Sequence, residues 1–222
     1  MLEQLGRLGF QKIIVVDNCS TYGPMLNYLE QIAASGTIRV QLLPTNRGGR
    51  VLSTDPEMYK ELPELFCITD PDIQFNPNLP PDFLSILVGL TEQYGIGKAG
   101  FALDITHREL LCDGDMIVAG KRYKVWEWEE QFWRQPLGLL GTGDPVYLAQ
   151  IDTTFALYNK RFFNPAHHLR AVRVAGRFTA RHLPWFQDWT IPAEEEAYYR
   201  NTAKFSEAQL HDGEFALHSA KA

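Results

Sequence analysis

Through residues 1–105, short apolar runs alternate with segments of helical periodicity, and this alternation limits the possible folds more than any other feature. The run 13–16 is rich in β-branched residues and typical of a buried parallel strand, and a polar turn follows it. Residues 24–34 and 80–94 have apolar side chains at helical spacing. Three further runs are predicted as strands: 38–43, 65–69 and 100–105. The alternation predicts an α/β fold, a sheet covered by helices.

The second half of the chain continues this pattern less regularly. Residues 124–134 are predicted as an aromatic helix, residues 147–158 as one long strand or a strand pair, and residues 193–201 as a short helix. The length of 222 residues fits one domain better than two. In open α/β sheets, ligands bind beyond the carboxyl ends of the strands, so the polar segments that follow the predicted strands are the first candidates for a site.

Charge and cysteine content exclude several classes of protein. The chain has 21 Lys and Arg against 27 Asp and Glu, a net charge of -6, which disfavours an extended nucleic-acid surface. Its three cysteines form no CxxC pair, which argues against a disulfide framework or a zinc ribbon. No apolar run approaches the roughly 20 residues of a membrane-spanning helix. We therefore expect a cytoplasmic protein without a transmembrane segment.

The most specific local motif is the acidic pair Asp70 and Asp72, which directly follows the predicted strand 65–69. Two carboxylates in a turn at the ligand edge of a sheet can share one divalent cation with a bound diphosphate. A second pair, Asp113 and Asp115, has the same spacing but lies in a stretch that is predicted as a hairpin turn. We therefore expect a metal at the first pair and not at the second.

Polar turns also follow the first two predicted strands. Asp17, Asn18 and Ser20 lie after the first strand, where a carboxylate and small polar groups suit a nucleoside; the alternative is that they cap the following helix. Asn46 and Arg50 lie after the second strand, in a turn whose glycines permit close approach and whose arginines suit phosphate. On its own, such a turn is more often an ordinary loop.

In this order, the three segments resemble the GT-A glycosyltransferases, most closely the family 2-like members. The segments are Val16-Asp17-Asn18-Cys19-Ser20-Thr21, Asn46-Arg47-Gly48 and Asp70-Pro71-Asp72. The resemblance implies a three-layer fold with a mixed, mainly parallel sheet, in which residues 1–105 form the nucleotide-sugar half and residues 106–222 the acceptor half of one domain. It also implies that the usual first strand is missing here, since the chain begins in what is predicted to be the helix that follows it.

The resemblance further implies a metal-dependent transferase that moves a sugar from a nucleotide-diphosphate sugar, here a UDP-sugar, to a hydroxyl of a glycan or glycolipid. Asp17 would contact the uracil or ribose of the donor, and Asp70 and Asp72 would serve the ribose and a Mn²⁺ or Mg²⁺ ion on the diphosphate. Such an ion would neutralise the negative charge that develops on the leaving group.

Two further segments supply candidates for the reaction. The resemblance also implies a carboxylate that takes the proton of the acceptor hydroxyl, and Asp152 lies in a comparable place, with Asp144 as the weaker candidate. The alternative is that Asp152 is an ordinary edge-strand or turn residue. His182 lies shortly before Pro184 and Trp185, and it resembles the histidine that completes the metal site in some GT-A enzymes. Its alternative role is packing beside aromatic side chains.

Aromatic and acidic side chains share one face of the predicted helix 124–134. Such pairs occur in sugar sites, but core packing is the expected role here. The members are Trp126, Glu129, Glu130 and Trp133.

Three other functions can be compared with this one, and the last of them stays open as the alternative. A nucleotidyltransferase of related topology would need a Gly-rich, basic segment after its first strand, and that strand is expected to be missing here. A dinucleotide-binding enzyme would need a G-x-G-x-x-G run between a strand and the following helix, which the predicted strand–helix junctions lack. The non-enzymatic alternative is a degenerate GT-A domain that binds carbohydrate or a partner protein.

Overall fold

The computed structural model describes residues 1–118, 121–152, 154–202, 209–211 and 214–217. The α-helices in this part of the chain are α1 (Leu2–Arg7), α2 (Gly23–Ala34), α3 (Val51–Thr54), α4 (Pro56–Glu61), α5 (Phe83–Tyr94), α6 (Val125–Glu130) and α7 (Ala193–Thr202). The strands are β1 (Ile14–Asp17), β2 (Arg39–Leu42), β3 (Leu65–Ile68), β4 (Ile73–Phe75), β5 (Lys98–Phe101), β6 (Asp115–Val118), β7 (Lys121–Lys124), β8 (Pro136–Leu139), β9 (Pro145–Gln150), β10 (Ala156–Asn159), β11 (Arg170–Val174), β12 (Ala180–His182), β13 (Gln209–His211) and β14 (Glu214–Leu217). Among the described helices, none has the length and apolar character needed to cross a membrane.

A mixed six-stranded sheet forms the centre of the fold, in the order β3-β10-β5-β11-β9-β8. β5 and β11 run parallel, and the other four neighbouring pairs are antiparallel. The α/β class and the mixed sheet are confirmed, whereas the expectation of a mainly parallel sheet is wrong. The reason is that β10 inserts between β3 and β5 and runs antiparallel to both. The predicted segment 147–158 is thus two separate strands, β9 and β10, which are not neighbours.

β1 and β2 pair in parallel and form a separate two-stranded sheet. Ile14 is 47% exposed, and Val15 and Val16 are half-buried. The expectation of a buried strand at 13–16 is therefore wrong, although its parallel direction is confirmed. Parallel strands are fully buried where helices cover both faces of their sheet. Here α2 packs against β2, and β1 keeps part of its apolar surface accessible.

Aromatic side chains fill the core between the central sheet, α5 and β4. The rings of Phe101 and Phe155 stack with centroids 4.6 Å apart, and Phe75 meets Phe155 edge to face at 5.1 Å. Phe83 of α5 packs on both rings of that stack. All four side chains are buried, so this cluster joins the sheet, α5 and β4 into one apolar core.

Glycine is required at position 100, where β5 and β10 approach each other closely. A Cβ atom there would lie 2.3 Å from the carbonyl oxygen of Phe155. The run 95–100 has the spacing G-x-G-x-x-G, but it leads from α5 into β5. This is the reverse of the strand-to-helix order that binds dinucleotide phosphates, so the run has a packing role.

β4 and β12 form an antiparallel pair in which Ile73 lies opposite His182. The side chain of Gln4 fastens α1 to β4: its Nε2 donates to the Ile73 carbonyl oxygen at 3.0 Å, and its Oε1 accepts from the Phe75 N–H at 2.8 Å. The Leu183 N–H donates to the Asp72 carbonyl oxygen at 2.9 Å. This pairing therefore brings the turn before β4 next to the end of β12.

A further small sheet has the order β13-β14-β6-β7 and contains part of the second acidic pair. Asp115 opens β6 and lies opposite Lys124. The Lys124 Nζ lies 2.9 Å from an oxygen of Asp113 and 2.9 Å from an oxygen of Asp115. The prediction of a hairpin turn at these acids is wrong, because Asp115 is already paired within a strand. Lys124 gives both carboxylates a cationic partner.

Candidate functional site

Asp72 and His182 meet at the junction of β4 and β12. The distance from Asp72 Oδ2 to His182 Nε2 is 3.2 Å, and both side chains are partly exposed. The ring of Trp185 packs edge to face on the His182 ring with centroids 4.8 Å apart. Two of the three metal ligands predicted from sequence are therefore in contact, and an aromatic side chain fixes the imidazole.

This pair fits a divalent cation. When two ligand atoms are bound at about 90° to one ion with metal–ligand bonds of about 2.1 Å, they lie about 3 Å from each other. The 3.2 Å between Asp72 Oδ2 and His182 Nε2 is close to this distance. Asp72 Oδ1 and His182 Nδ1 are buried and make no hydrogen bond with any described residue. Asp70 is half-buried in the same turn. Across residues that the structure describes, no three His, Cys, Asp or Glu side chains are grouped to hold a metal. A cation here would therefore depend on a bound phosphate or water for its other ligands.

The turn after β1 is stabilised by its own polar side chains. Asp17 is buried at the end of β1, and its Oδ2 accepts a hydrogen bond from the Ser20 N–H at 2.8 Å. Helix α2 begins later, with Tyr22 as its N-cap residue and no side-chain cap. The alternative of helix capping is therefore wrong, because Asp17 closes the turn and does not contact the first helical N–H groups.

Asn18 ties this turn to the one that follows β2. Its Nδ2 donates to the Gly48 carbonyl oxygen at 2.9 Å, and its Oδ1 accepts from the Arg47 N–H at 2.8 Å. Asn46 Oδ1 accepts from the Gly48 N–H at 2.9 Å and shapes the second turn, where Gly48 has a φ of 84°. The two segments predicted to bind the donor thus form one continuous, hydrogen-bonded surface.

Arg50 and Asp152, predicted to bind phosphate and to act as the base, form a bidentate ion pair. Arg50 Nε lies 2.5 Å from Asp152 Oδ1, and Arg50 Nη2 lies 2.6 Å from Oδ2. Both side chains keep solvent contact. The guanidinium occupies one lone pair on each oxygen of Asp152, so Asp152 is fully available to a proton from another molecule when Arg50 turns away.

Lys98 supports the backbone next to Asp152. It is 1% exposed, and its Nζ donates to the Ile151 carbonyl oxygen at 2.8 Å. Burial lowers the pKa of Lys98 to about 8; Arg50 and Arg173 act in the same direction, and Asp152 acts against them. No role was predicted for Lys98 from the sequence, although a lysine next to Ala99 in an otherwise apolar strand is an unusual feature.

Asp144, the weaker candidate base, has structural contacts through both oxygens. Arg177 Nη2 donates to it at 2.7 Å, the Arg177 N–H at 2.8 Å and Thr142 Oγ1 at 2.6 Å. Burial alone would raise the pKa of Asp144, but the hydrogen bonds from Arg177 and Thr142 lower it overall. Asp144 therefore holds the turn at Gly176 in place. Its side chain is 5% exposed and that of Asp152 is 42% exposed, so Asp152 is the more accessible of the two candidate bases.

A buried ion pair lies behind the His182 side chain. Arg173 Nη1 donates to Glu129 Oε1, and these side chains are 4% and 2% exposed. Burial raises the pKa of Glu129, while Arg173, a hydrogen bond from the Leu103 N–H and the charge of His182 act against this. The Arg173 guanidinium also lies 4.3 Å from the centre of the Phe132 ring. Glu129 was predicted as part of an aromatic and acidic helix face, but its pairing with Arg173 was not predicted.

The other members of that face have separate neighbours. Arg108 stacks on the Trp126 ring at 4.1 Å and pairs with Glu130 at 2.8 Å, and the Trp133 ring lies 5.6 Å from that of Tyr147. These contacts agree with the expected packing role.

Comparison with known proteins adds no assignment to this geometry. No protein-family model matches the chain, and no curated protein matches it at a significant level.

Proposed function

We propose that this protein is a metal-dependent glycosyltransferase, which moves a sugar from a UDP-sugar to a hydroxyl of a saccharide or glycolipid. The observation that carries the proposal is the 3.2 Å contact between Asp72 and His182, a carboxylate and an imidazole brought together from distant parts of the sequence. The turns after β1 and β2, which Asn18 joins, support a donor site on the same chain.

In this proposal, Asp72 and His182 hold a Mn²⁺ or Mg²⁺ ion, and Asp17 and Asp70 contact the nucleoside of the donor. The bound ion would neutralise the charge on the departing diphosphate. The bond between the anomeric carbon and the diphosphate oxygen breaks, and the diphosphate leaves with the electron pair. The acceptor oxygen forms the new bond to that carbon, and Asp152 takes the hydroxyl proton.

Arg50 links donor binding to the base. A guanidinium binds phosphate oxygens in the same bidentate geometry in which it holds a carboxylate. When the donor diphosphate draws Arg50 from Asp152, the carboxylate is released for the acceptor proton. Donor binding would thus make both oxygens of Asp152 fully available to the acceptor proton.

A second candidate function is non-catalytic binding of carbohydrate or of a partner protein by a degenerate domain. The observation in its favour is that both oxygens of Asp152 are held by Arg50. The two functions differ in turnover: a binding domain would hold the UDP-sugar and release no UDP.

We expect Asp152→Asn to retain donor binding and to lower transfer about 100-fold, because an amide cannot accept the hydroxyl proton. Transfer is measured as the release of UDP from UDP-glucose, UDP-galactose and UDP-N-acetylglucosamine in the presence of saccharide acceptors. Binding of each donor is measured separately by calorimetric titration. The matched control is Asp82→Asn, an exposed carboxylate without a side-chain hydrogen bond, which should behave as the wild type. Transfer by Asp152→Asn at the wild-type rate would remove Asp152 as the base. Donor binding without turnover by the wild type would favour the binding domain.

A further inference from the structure

A cavity of about 540 Å³ opens beside the segment that carries Asp152. It lies between the 3₁₀ turn Gln131–Trp133, the end of β9 and the segment that leads into β11. Gln150 lines it, two residues before Asp152, and the Ile151 N–H donates to the Leu169 carbonyl oxygen at 2.9 Å. The cavity is therefore adjacent in the fold to the proposed base and is large enough for a sugar.

The charge of the cavity wall differs from that of the whole chain. Within the described structure, no Asp or Glu lines the cavity, although the chain has a net charge of -6. Arg170 does line it, at the start of β11 and opposite Gln150 in register. Arg170 is exposed and forms no ion pair with a described carboxylate. An arginine without a carboxylate partner at the rim of a cavity is a ready site for an anion.

The residues behind the wall add to this positive charge. Arg50 is paired with Asp152, and Arg173 is paired with Glu129. Lys98 instead donates to a carbonyl oxygen. These three cations outnumber the two carboxylates. Besides burial, the charges of Arg50 and Lys98 lower the pKa of His168, which lines the cavity, so their positive charge acts at the cavity wall. Charge of one sign around a cavity raises the local concentration of the opposite ion.

The polar groups of the wall suit hydroxyls. Gln131 and Gln150 have side-chain amides that both donate and accept hydrogen bonds. The Gln131 Nε2 already donates to the Trp128 carbonyl oxygen at 2.7 Å, which leaves its second N–H and its Oε1 for a ligand. His168 Nδ1 lies 3.3 Å from the Pro165 carbonyl oxygen, so Nδ1 is the protonated nitrogen and Nε2 the acceptor when the ring is neutral. Burial lowers the pKa of His168, which favours that neutral form. His168 Nε2 is buried and has no hydrogen-bond partner among the described residues.

We propose that this cavity binds the acceptor and that the acceptor is an anionic saccharide, a sugar that carries a phosphate or a carboxylate. Arg170 binds the anionic group, and the amides of Gln131 and Gln150, together with His168, bind hydroxyls. The assignment of the bound sugar as an acceptor rests on the proposed glycosyltransferase function; the preference for an anionic saccharide rests on the cavity alone.

The test is calorimetric titration of the full chain, without UDP or metal, with glucose 6-phosphate, glucuronate, glucose and inorganic phosphate. We expect both anionic sugars to bind at least about tenfold more tightly than glucose and than inorganic phosphate. The Arg170→Gln variant should bind both anionic sugars at least about tenfold more weakly than the wild type. The matched control is Arg39→Gln, because Arg39 is also exposed at the first position of a strand but does not line the cavity. Melting temperatures confirm that both variants fold.

Equal binding of glucose and glucose 6-phosphate would overturn the anionic preference. Equal binding of inorganic phosphate and glucose 6-phosphate would overturn the role of the hydroxyl contacts. Anionic sugars that bind Arg170→Gln as tightly as Arg39→Gln would overturn the assignment to this cavity. If UDP binds with Mn²⁺ but neither anionic sugar binds, the cavity inference is wrong and the proposed function is unaffected. If the anionic sugars bind and UDP with Mn²⁺ does not, the cavity inference is supported and the donor site is wrong.

Discussion

Asp72→Ala is expected to abolish Mn²⁺-dependent binding of UDP while the fold remains intact. The substitution removes one of the two side chains that meet at 3.2 Å, and a single imidazole cannot hold a divalent ion against water. The fold is retained because the backbone of Asp72 still accepts the hydrogen bond from Leu183, and Oδ1 has no described partner to lose. Calorimetric titration of UDP with and without Mn²⁺ measures this loss, and circular dichroism checks the fold.

The control for this experiment is the second acidic pair. Asp113→Ala removes a carboxylate with the same spacing in sequence, one that is 98% exposed and bound to Lys124. It should leave UDP binding unchanged, whereas His182→Ala should reproduce the loss seen in Asp72→Ala. An Asp72→Ala variant that binds UDP with the wild-type dependence on Mn²⁺ would show that the metal site is assigned to the wrong residues.

Arg173→Met is expected to destabilise the protein by about 3–5 kcal/mol, because it leaves the Glu129 carboxylate buried without its ionic partner. The two side chains are almost fully buried, so solvent cannot replace the lost contact. Urea unfolding at neutral pH measures the change. The matched control is Arg108→Met, which breaks the exposed pair with Glu130 and should cost about 1 kcal/mol or less.

The destabilisation of Arg173→Met should depend on pH in one direction. Burial raises the pKa of Glu129 above its ordinary value of 4.5, and Arg173 acts against this, so Arg173→Met raises the pKa further and the folded variant holds a proton at a pH where the unfolded chain has lost it. Stability due to this group therefore falls as the pH rises above 4.5, and the cost of Arg173→Met should be larger at pH 7 than near pH 4.5. Glu129→Gln combined with Arg173→Met should lack this dependence. A cost that is the same at both pH values would contradict the account of a buried, unpaired carboxylate.

Local patterns were sufficient to predict many of the helices and strands but not their pairing. The predicted segments 24–34 and 80–94 correspond to α2 and α5, and 38–43 and 65–69 correspond to β2 and β3. The position of β10 between β3 and β5 depends on contacts between residues far apart in sequence, such as Ala156 with Ile68 and Gly100. The spacing of apolar residues in a short segment carries no information about which distant strand that segment pairs with. The antiparallel pairing in the sheet was therefore not predicted.

The individual residues of the candidate site could be predicted where they lie in short sequence motifs, but the contacts between them could not. Asp72 and His182 were identified separately, and their contact follows from the pairing of β4 with β12, which no local signal indicated. Arg50 and Asp152 were likewise identified for separate roles, and their ion pair could not be predicted. The positions of Lys98 and Arg173 depend entirely on the tertiary fold, because charged residues are ordinarily expected at the surface.

The most direct measurement is a thermal-shift titration of the wild-type chain with UDP, GDP, CDP and dTDP, each with and without Mn²⁺. A ligand that binds the native state alone raises the melting temperature. Because the protein supplies two ligands to the ion, we expect UDP and Mn²⁺ to bind together. The rise in melting temperature with UDP and Mn²⁺ should therefore exceed the sum of the rises with UDP alone and with Mn²⁺ alone. No shift for any nucleotide in the presence of Mn²⁺, or an equal shift for UDP without the ion, would contradict a metal-dependent donor site at Asp72 and His182.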